Sequence, residues 1–167
     1  MINTNGLSFL YIVKRLNYDD TDQIYKVYKN NKKYFSLLDI KPDIDSIKED
    51  LEVLPKGKTS DDKCFLGYYM FDSLICVIDL IENYPNDKDA YIGLFMIDYL
   101  YQGKGIGTNI ICELCSSLSK QGFTKIKLAC LKNNILAHAF WTKNGFVTNG
   151  KTGRYKNIDT IELERNL

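Results

Sequence analysis

Three glycines at alternating positions, Gly103, Gly105 and Gly107, separate an apolar segment ending at Ile97 from an amphipathic one running to Lys120. The segment Gln102-Gly103-Lys104-Gly105-Ile106-Gly107-Thr108 therefore reads as a strand-to-helix turn. The first backbone N–H groups of a helix lack partners within it, and the helix dipole places partial positive charge there. Glycines remove the side chains that would hold a pyrophosphate away from those donors. Spacing excludes three other phosphate loops. A Walker loop places Lys and then Ser/Thr after its last glycine, whereas Lys104 lies inside this turn and Thr108 follows Gly107 directly. A dinucleotide fingerprint is G-x-G-x-x-G, and a kinase glycine loop does not open a helix. A plain strand-to-helix turn with no ligand satisfies the same pattern.

Hydrophobic periodicity supplies the flanking elements. Residues 9–16 are apolar and β-branched and read as a first strand. Asp19 and Asp20 offer N-caps to a helix carrying Ile24, Val27 and Tyr28 at helical spacing. Beyond the break at Pro42, Ser46 and Glu49 form a capping box for a second helix with Ile47, Leu51 and Leu54 on one face. Residues 55–62 are a polar loop. Residues 64–71, 74–82 and 90–97 are three strands with short polar gaps, the pattern of antiparallel hairpins. Residues 105–120 form a helix striped by Ile106, Ile110, Leu114 and Leu118 and stopped by Gly122. Ile126, Leu128 and Cys130 alternate along a further strand. Residues 135–144 are a short helix capped by Asn134 and stopped by Gly145, and residues 146–149 and 158–164 close the sheet. The order βααβββαβαββ predicts an α/β fold: a mixed, largely antiparallel sheet of six to seven strands with helices on both faces. With 167 residues and no repeat or long linker, a single domain over 1–167 is expected.

Composition narrows the function classes. The chain is 45% hydrophobic and 26% charged with net charge +1, an ordinary balance for a soluble globular protein. The charge is uneven. Residues 102–156 carry nine basic side chains and one acidic, residues 19–62 eleven acidic and eight basic, and residues 79–91 four acidic and one basic. A polyanion is drawn to the first stretch and a cationic ligand to the other two. No recognition motif accompanies the basic half, so no nucleic-acid partner is expected. The first eight residues lack a basic-then-apolar leader, and the apolar run 74–81 is short and holds Asp79. A bilayer span needs about 20 apolar residues, so no membrane partner is expected. The cysteines, Cys64, Cys76, Cys112, Cys115 and Cys130, are odd in number, which reads as reduced thiols in a cytoplasmic protein. Cys112 and Cys115 form a C-x-x-C, but with His138 the lone histidine and no second pair, no metal site is expected. His138 reads as a surface or packing residue.

Downstream of the turn lies Asn134-Ile-Leu-Ala137-His-Ala-Phe-Trp141-Thr-Lys143-Asn-Gly145-Phe146. Taken alone it is a capped helix with an aromatic face and a glycine stop. The two segments in this order resemble the GNAT superfamily of acyl-CoA-dependent N-acetyltransferases. That family's acyl-CoA loop, Gln/Arg-x-x-Gly-x-Gly/Ala, is matched by Gln102, Gly105 and Gly107. Its later helix, Asn-x-x-Ala-x-x-x-Tyr-x-Lys-x-Gly-Phe, is matched by Asn134, Ala137, Lys143, Gly145 and Phe146. The resemblance is tight over residues 90–146 and upstream rests on element order. It implies that Phe95, Met96 and Ile97 run beside the pantetheine arm of acetyl-CoA. It implies that Gln102, Gly103, Lys104, Gly105, Ile106, Gly107 and Thr108 hold the pyrophosphate and that Asn134 approaches from the far side. The cofactor would enter where the strands bearing Phe95 and Leu128 splay apart. The implied reaction is acetyl transfer to a primary amine of a small molecule or peptide by direct attack in a ternary complex, by a monomer or homodimer.

Two positions depart from the family pattern. Where many members carry a tyrosine that protonates the departing thiolate stands Trp141, whose indole is a donor but not a usable acid. A thiol of pKa about 8.5 leaves readily, so Trp141 reads as packing without abolishing turnover. The usual glutamate base falls at Tyr91, and the second base position at Ala129. An amine of pKa about 10.4 arrives as ammonium and must lose a proton. Asp79, on a strand face otherwise built from Ile75, Val77 and Ile81, and Glu82 at the strand's end are the remaining carboxylates for this sheet region. Asp79 or Glu82 is expected to deprotonate the acceptor, Asp79 being the better placed and Glu82 the better attractor of a cation. A structural ion pair at Asp79, and a non-catalytic acyl-CoA-binding or sensing domain, stand as the alternatives.

Overall fold

The computed structural model describes residues 2–167. Its seven strands are β1 Ile12–Arg15, β2 Lys63–Met70, β3 Ser73–Glu82, β4 Asp89–Ile97, β5 Lys125–Leu131, β6 Val147–Tyr155 and β7 Ile158–Asn166. They form one sheet in the order β1-β2-β3-β4-β5-β7-β6. The β4–β5 pair is parallel and every other pair antiparallel. The helices are α1 Thr21–Asn30, α2 Lys32–Leu37, α3 Ile44–Glu52, α4 Ile106–Lys120 and α5 Ile135–Lys143.

Strand alternation gives the sheet two apolar faces. On one, Val77 and Met96 meet Ile24, Val27, Tyr28, Phe35 and Ile47 of α1–α3. On the other, Ile78 and Leu128 meet Ile110, Leu114 and Leu118 of α4 and Trp141 of α5. Ile24, Ile47, Ile110 and Leu114 are fully buried, each contributing about 1.5–3 kcal/mol.

Several local expectations are corrected. A third helix precedes β2, so the order is βαααβββαβαββ. Asn31 separates α1 from α2 because its side-chain amide donates to Val27 O at 2.8 Å and Ile97 O at 3.0 Å. That pins the junction to the end of β4. Asn17 supplies the side-chain cap ahead of α1, accepting from Asp19 N at 2.7 Å, while its own backbone N–H donates to Asp20 Oδ2 at 2.9 Å. The capping box of α3 is Asp43 with Ser46, not Ser46 with Glu49. Strand β1 is shorter than residues 9–16, since Phe9 and Leu10 are exposed. Strand β6 continues to Tyr155, across an irregularity between Thr148 and Thr152.

Candidate active site

The β4–β5 ladder runs from Asp89↔Lys125 to Ile92↔Leu128 and stops there. At that level Asp79 pairs with Leu94 and Leu80 with Ile92, leaving Gly93 as an extra residue on β4. A bulge bends the strand that carries it, so β4 beyond Gly93 runs free of β5 on that edge. A side chain here would move that carboxylate: a Cβ at position 93 would lie 2.5 Å from Asp79 Oδ2.

Strand β4 ends at Asp98, and the glycine turn follows. Gln102 faces inward, its amide donating to Asn31 Oδ1 at 2.8 Å and Ile97 O at 2.9 Å. It therefore ties the turn to β4 and to the α1–α2 junction. Gly105 is the N-cap of α4 at φ 80°, a left-handed conformation, and no side chain caps the helix. The first bond at this end is Asn109 N to Gly105 O, 3.1 Å. The N–H groups of Ile106, Gly107 and Thr108 precede it and have no capping partner among the described residues. A cavity of about 940 Å³ lies against Gln102, Gly103, Gly105, Gly107 and Thr108, and against Phe95, Met96, Ile97 and Asn134. Two residues of the turn do not line it. Ile106 is buried in the core, and Lys104 folds back to donate to Leu100 O at 2.8 Å. Asn134 Oδ1 caps α5 by accepting from Ala137 N at 3.1 Å. Lys32, Lys33 and Lys143, which sequence reasoning did not assign, are exposed on the same wall.

A second cavity of about 690 Å³ opens on the other side of the parting strands. Its carboxylates are Glu49, Asp50 and Asp79, among several tyrosines. Asp79 is buried, with Oδ2 held by Lys63 Nζ at 3.1 Å and Oδ1 without a hydrogen-bond partner among the described residues. Burial outweighs the Lys63 ammonium and pushes its carboxyl up to about 6. Lys63 also donates to Asp50 O at 2.7 Å and Val53 O at 2.8 Å, the carbonyls that close α3, so all three of its protons are used. Asp50 accepts from the Tyr28 hydroxyl at 2.6 Å, and burial raises its pKa as well. Glu82 is buried opposite Ala90 and lines neither cavity. Tyr91 stands edge-on to Tyr84 at 5.3 Å, and burial pushes its phenol up to about 12, leaving it protonated at neutral pH. His138 is half-buried and lines neither cavity.

The cavities share six lining residues: Tyr34, Phe95, Met96, Asn134, Ala137 and Trp141. Trp141 is buried, with ring centroids of Phe95, Phe140 and Phe146 at 5.3, 5.0 and 4.9 Å. This is the packing role expected of it. Trp141→Phe should leave the shape of the kcat pH profile unchanged. Loss of a basic limb in that variant would instead give the indole a part in proton transfer.

The profile of the Acetyltransferase (GNAT) family matches residues 24–146, and the chain belongs to this family. It is an acyltransferase of a family that uses acetyl-CoA. The fold is shared with an acetyltransferase from Thermus thermophilus, at 19% identity and TM-score 0.77 over 95% of this chain and 98% of that one. The Salmonella typhimurium acetyltransferase that modifies the N-terminal serine of ribosomal protein L7/L12 is 18% identical, with TM-score 0.74 over 96% and 97% of the two chains. The PaiA N-acetyltransferase of Thermoplasma acidophilum, solved with coenzyme A, is 20% identical, with TM-score 0.68 over 94% and 99%. No curated protein sequence matches the chain significantly.

The first cavity suits acetyl-CoA on chemical grounds. Uncapped helix N–H groups suit a pyrophosphate, a strand edge free of its neighbour suits the pantetheine amides, and Lys32, Lys33 and Lys143 suit phosphate charge. Among the described residues no group of side chains could hold a metal ion, and no helix is long and apolar enough to cross a membrane.

Proposed function

We propose that this acyltransferase is an N-acetyltransferase, a single domain over residues 1–167 that moves an acetyl group from acetyl-CoA to a primary amine of a small molecule or peptide. The amine attacks directly in a ternary complex. The observation that carries the reading is that two cavities of opposite character meet where β4 and β5 part. One ends on uncapped N–H groups and lysines, the other on the buried Asp79 carboxylate with Asp50 and Glu49 nearer its mouth, where Arg154 and Lys156 also stand. In this proposal the turn 102–108 binds pyrophosphate, with Gln102 shaping it and Lys104 folded back on it. Phe95, Met96 and Ile97 present the β4 edge to the pantetheine arm, and Asn134 closes the far side. Asp79 takes the acceptor's proton. Glu82 lies away from the acceptor cavity, so the cation-attracting role passes to Asp50 and Glu49. Reduced thiols, four of them buried, accord with a cytoplasmic location.

The experiment is release of free thiol from acetyl-CoA by an amine panel containing small amines, polyamines, aminoglycosides and peptide N-termini. Peptides belong in it because the Salmonella neighbour modifies an N-terminal serine. Thiol release together with mass-identified N-acetyl product is the expected result. Tight acetyl-CoA binding without transfer to any class would replace the enzyme reading with a binding or sensing domain.

A further inference from the structure

We infer that Tyr34 of α2 donates its hydroxyl proton to the sulfur as the thiolate leaves, the role that Trp141 is chemically unable to fill. The inference rests on the acetyl-transfer reading above and assigns a further catalytic residue to the same site.

In a ternary complex the acyl carbon must come within about 3–3.5 Å of the attacking nitrogen. In the acetyl-transfer reading this approach takes place where the donor and acceptor cavities join. The six residues at this junction differ sharply in what they can give a leaving group. Phe95, Met96 and Ala137 carry no polar hydrogen, while the Asn134 amide and the Trp141 indole hold theirs far outside the neutral range. Tyr34 alone among them carries a dissociable O–H.

Its position is built in, not incidental. The ring stands edge-on to buried Phe35 at 5.3 Å and 88°. Three residues earlier, Asn31 ties the start of α2 to Ile97 O and accepts from Gln102 at 2.8 Å. The helix carrying Tyr34 is thus fastened to the same end of β4 and to the same turn that bound the donor cavity. The hydroxyl makes no hydrogen bond among the described residues. Burial, with Tyr155, Asp50 and Cys130 around it, raises its pKa, so it keeps its proton as a donor at neutral pH. Cys130 of β5 lines the acceptor cavity together with Tyr34, so α2 and β5 both border that cavity.

The step balances as follows. The acceptor ammonium loses two protons in becoming an amide. The first passes through Asp79 to solvent, which frees the nitrogen lone pair to attack the acyl carbon. As the C–S bond breaks, its electron pair stays on sulfur, and the Tyr34 hydroxyl proton moves to that sulfur to give the free thiol. The nitrogen's second proton, relayed through water in the acceptor cavity, restores the Tyr34 hydroxyl.

Tyr34→Phe keeps the ring and removes only the oxygen. The test compares CoA with desulfo-CoA, which lacks the sulfur, by calorimetry at pH 9, above the thiol pKa of about 8.5. Expected is about a tenfold loss of CoA affinity in the variant, the size of one charge-assisted hydrogen bond, with desulfo-CoA affinity unchanged within about twofold. With an amine acceptor taken from the panel, kcat should fall about tenfold or more, while KM for acetyl-CoA stays within about twofold. Equal losses for both ligands, or no loss for either, overturn the assignment to Tyr34. A wild-type protein that binds neither ligand overturns the acetyl-CoA reading itself, and the two failures are thereby told apart.

Discussion

Gly105→Glu is expected to weaken acetyl-CoA binding by more than about a hundredfold, the loss of several phosphate hydrogen bonds to uncapped helix donors. The reason is electrostatic more than steric. Position 105 has φ 80°, and a Cβ there would meet nothing within 4 Å, so the side chain finds room. The left-handed conformation costs a non-glycine residue about 1–2 kcal/mol. The added carboxylate then competes for the N–H groups of Ile106, Gly107 and Thr108, which a pyrophosphate would otherwise use. Strain and competition are separable. Gly122 at the far end of α4 has φ 91° and equally open surroundings, so Gly122→Glu carries a similar conformational cost and should leave CoA affinity intact. Gly105→Ala carries the strain at the site itself without the charge. A ligand at a hundredfold its Kd stabilises its protein by about 2.7 kcal/mol, so thermal melts with and without acetyl-CoA should show a shift in wild type, Gly105→Ala and Gly122→Glu but none in Gly105→Glu. A folded Gly105→Glu protein with wild-type affinity would remove the turn from the binding site.

The donor side is legible in the sequence because contiguous residues encode it. A strand, three alternating glycines and an amphipathic helix lie within residues 90–120, and the Asn134 cap with the Gly145 stop completes the frame. The acceptor side is not, because it is assembled from α3, β3, β4 and the β6–β7 hairpin. Asp50 follows Ile47 by one helical turn, so periodicity points it inward, but an inward carboxylate becomes credible only once the Tyr28 hydroxyl is seen to meet it. Lys63 gives no signal at all. A lysine opening a strand is exposed by default, and its burial follows from meeting the C-terminal carbonyls of α3. The third helix is hidden for a similar reason: Asn31 breaks the α1 pattern through bonds to Val27 and Ile97, one of them long-range. Strand β6 lacks a readable alternation because nearly all its residues are exposed. Its pairing comes from β7, not from a buried face. At α3 two capping patterns overlap, and Asp43 with Ser46 forms in place of Ser46 with Glu49.

Asp79→Asn is expected to lower kcat/KM for the amine acceptor by about 10²–10⁴, the range for loss of a general base. Wild-type kcat/KM should also show an acid limb centred near 6, from the carboxyl pushed up to about 6, and the variant should lack it. The same shift fixes the sign of a stability effect. Asp79 binds its proton more tightly folded, at about 6, than unfolded, at about 3.8. Its protonated form therefore favours folding fully below about 3.8, and that contribution is lost as pH rises through about 6. Measured against the non-titrating Asn, wild-type stability should decline across this window by about 3 kcal/mol. Removing the carboxylate also leaves the Lys63 ammonium without its counter-ion, so the variant needs a companion that keeps the charge. Gly93→Ala provides it: the new methyl would lie 2.5 Å from Asp79 Oδ2 and must displace the carboxylate without deleting it. A base that works by position should lose rate in both variants. A carboxylate that serves only to neutralise Lys63 should lose stability in both, yet keep kcat/KM within about tenfold in the folded Asn variant, and in that case Asp79 is not the base.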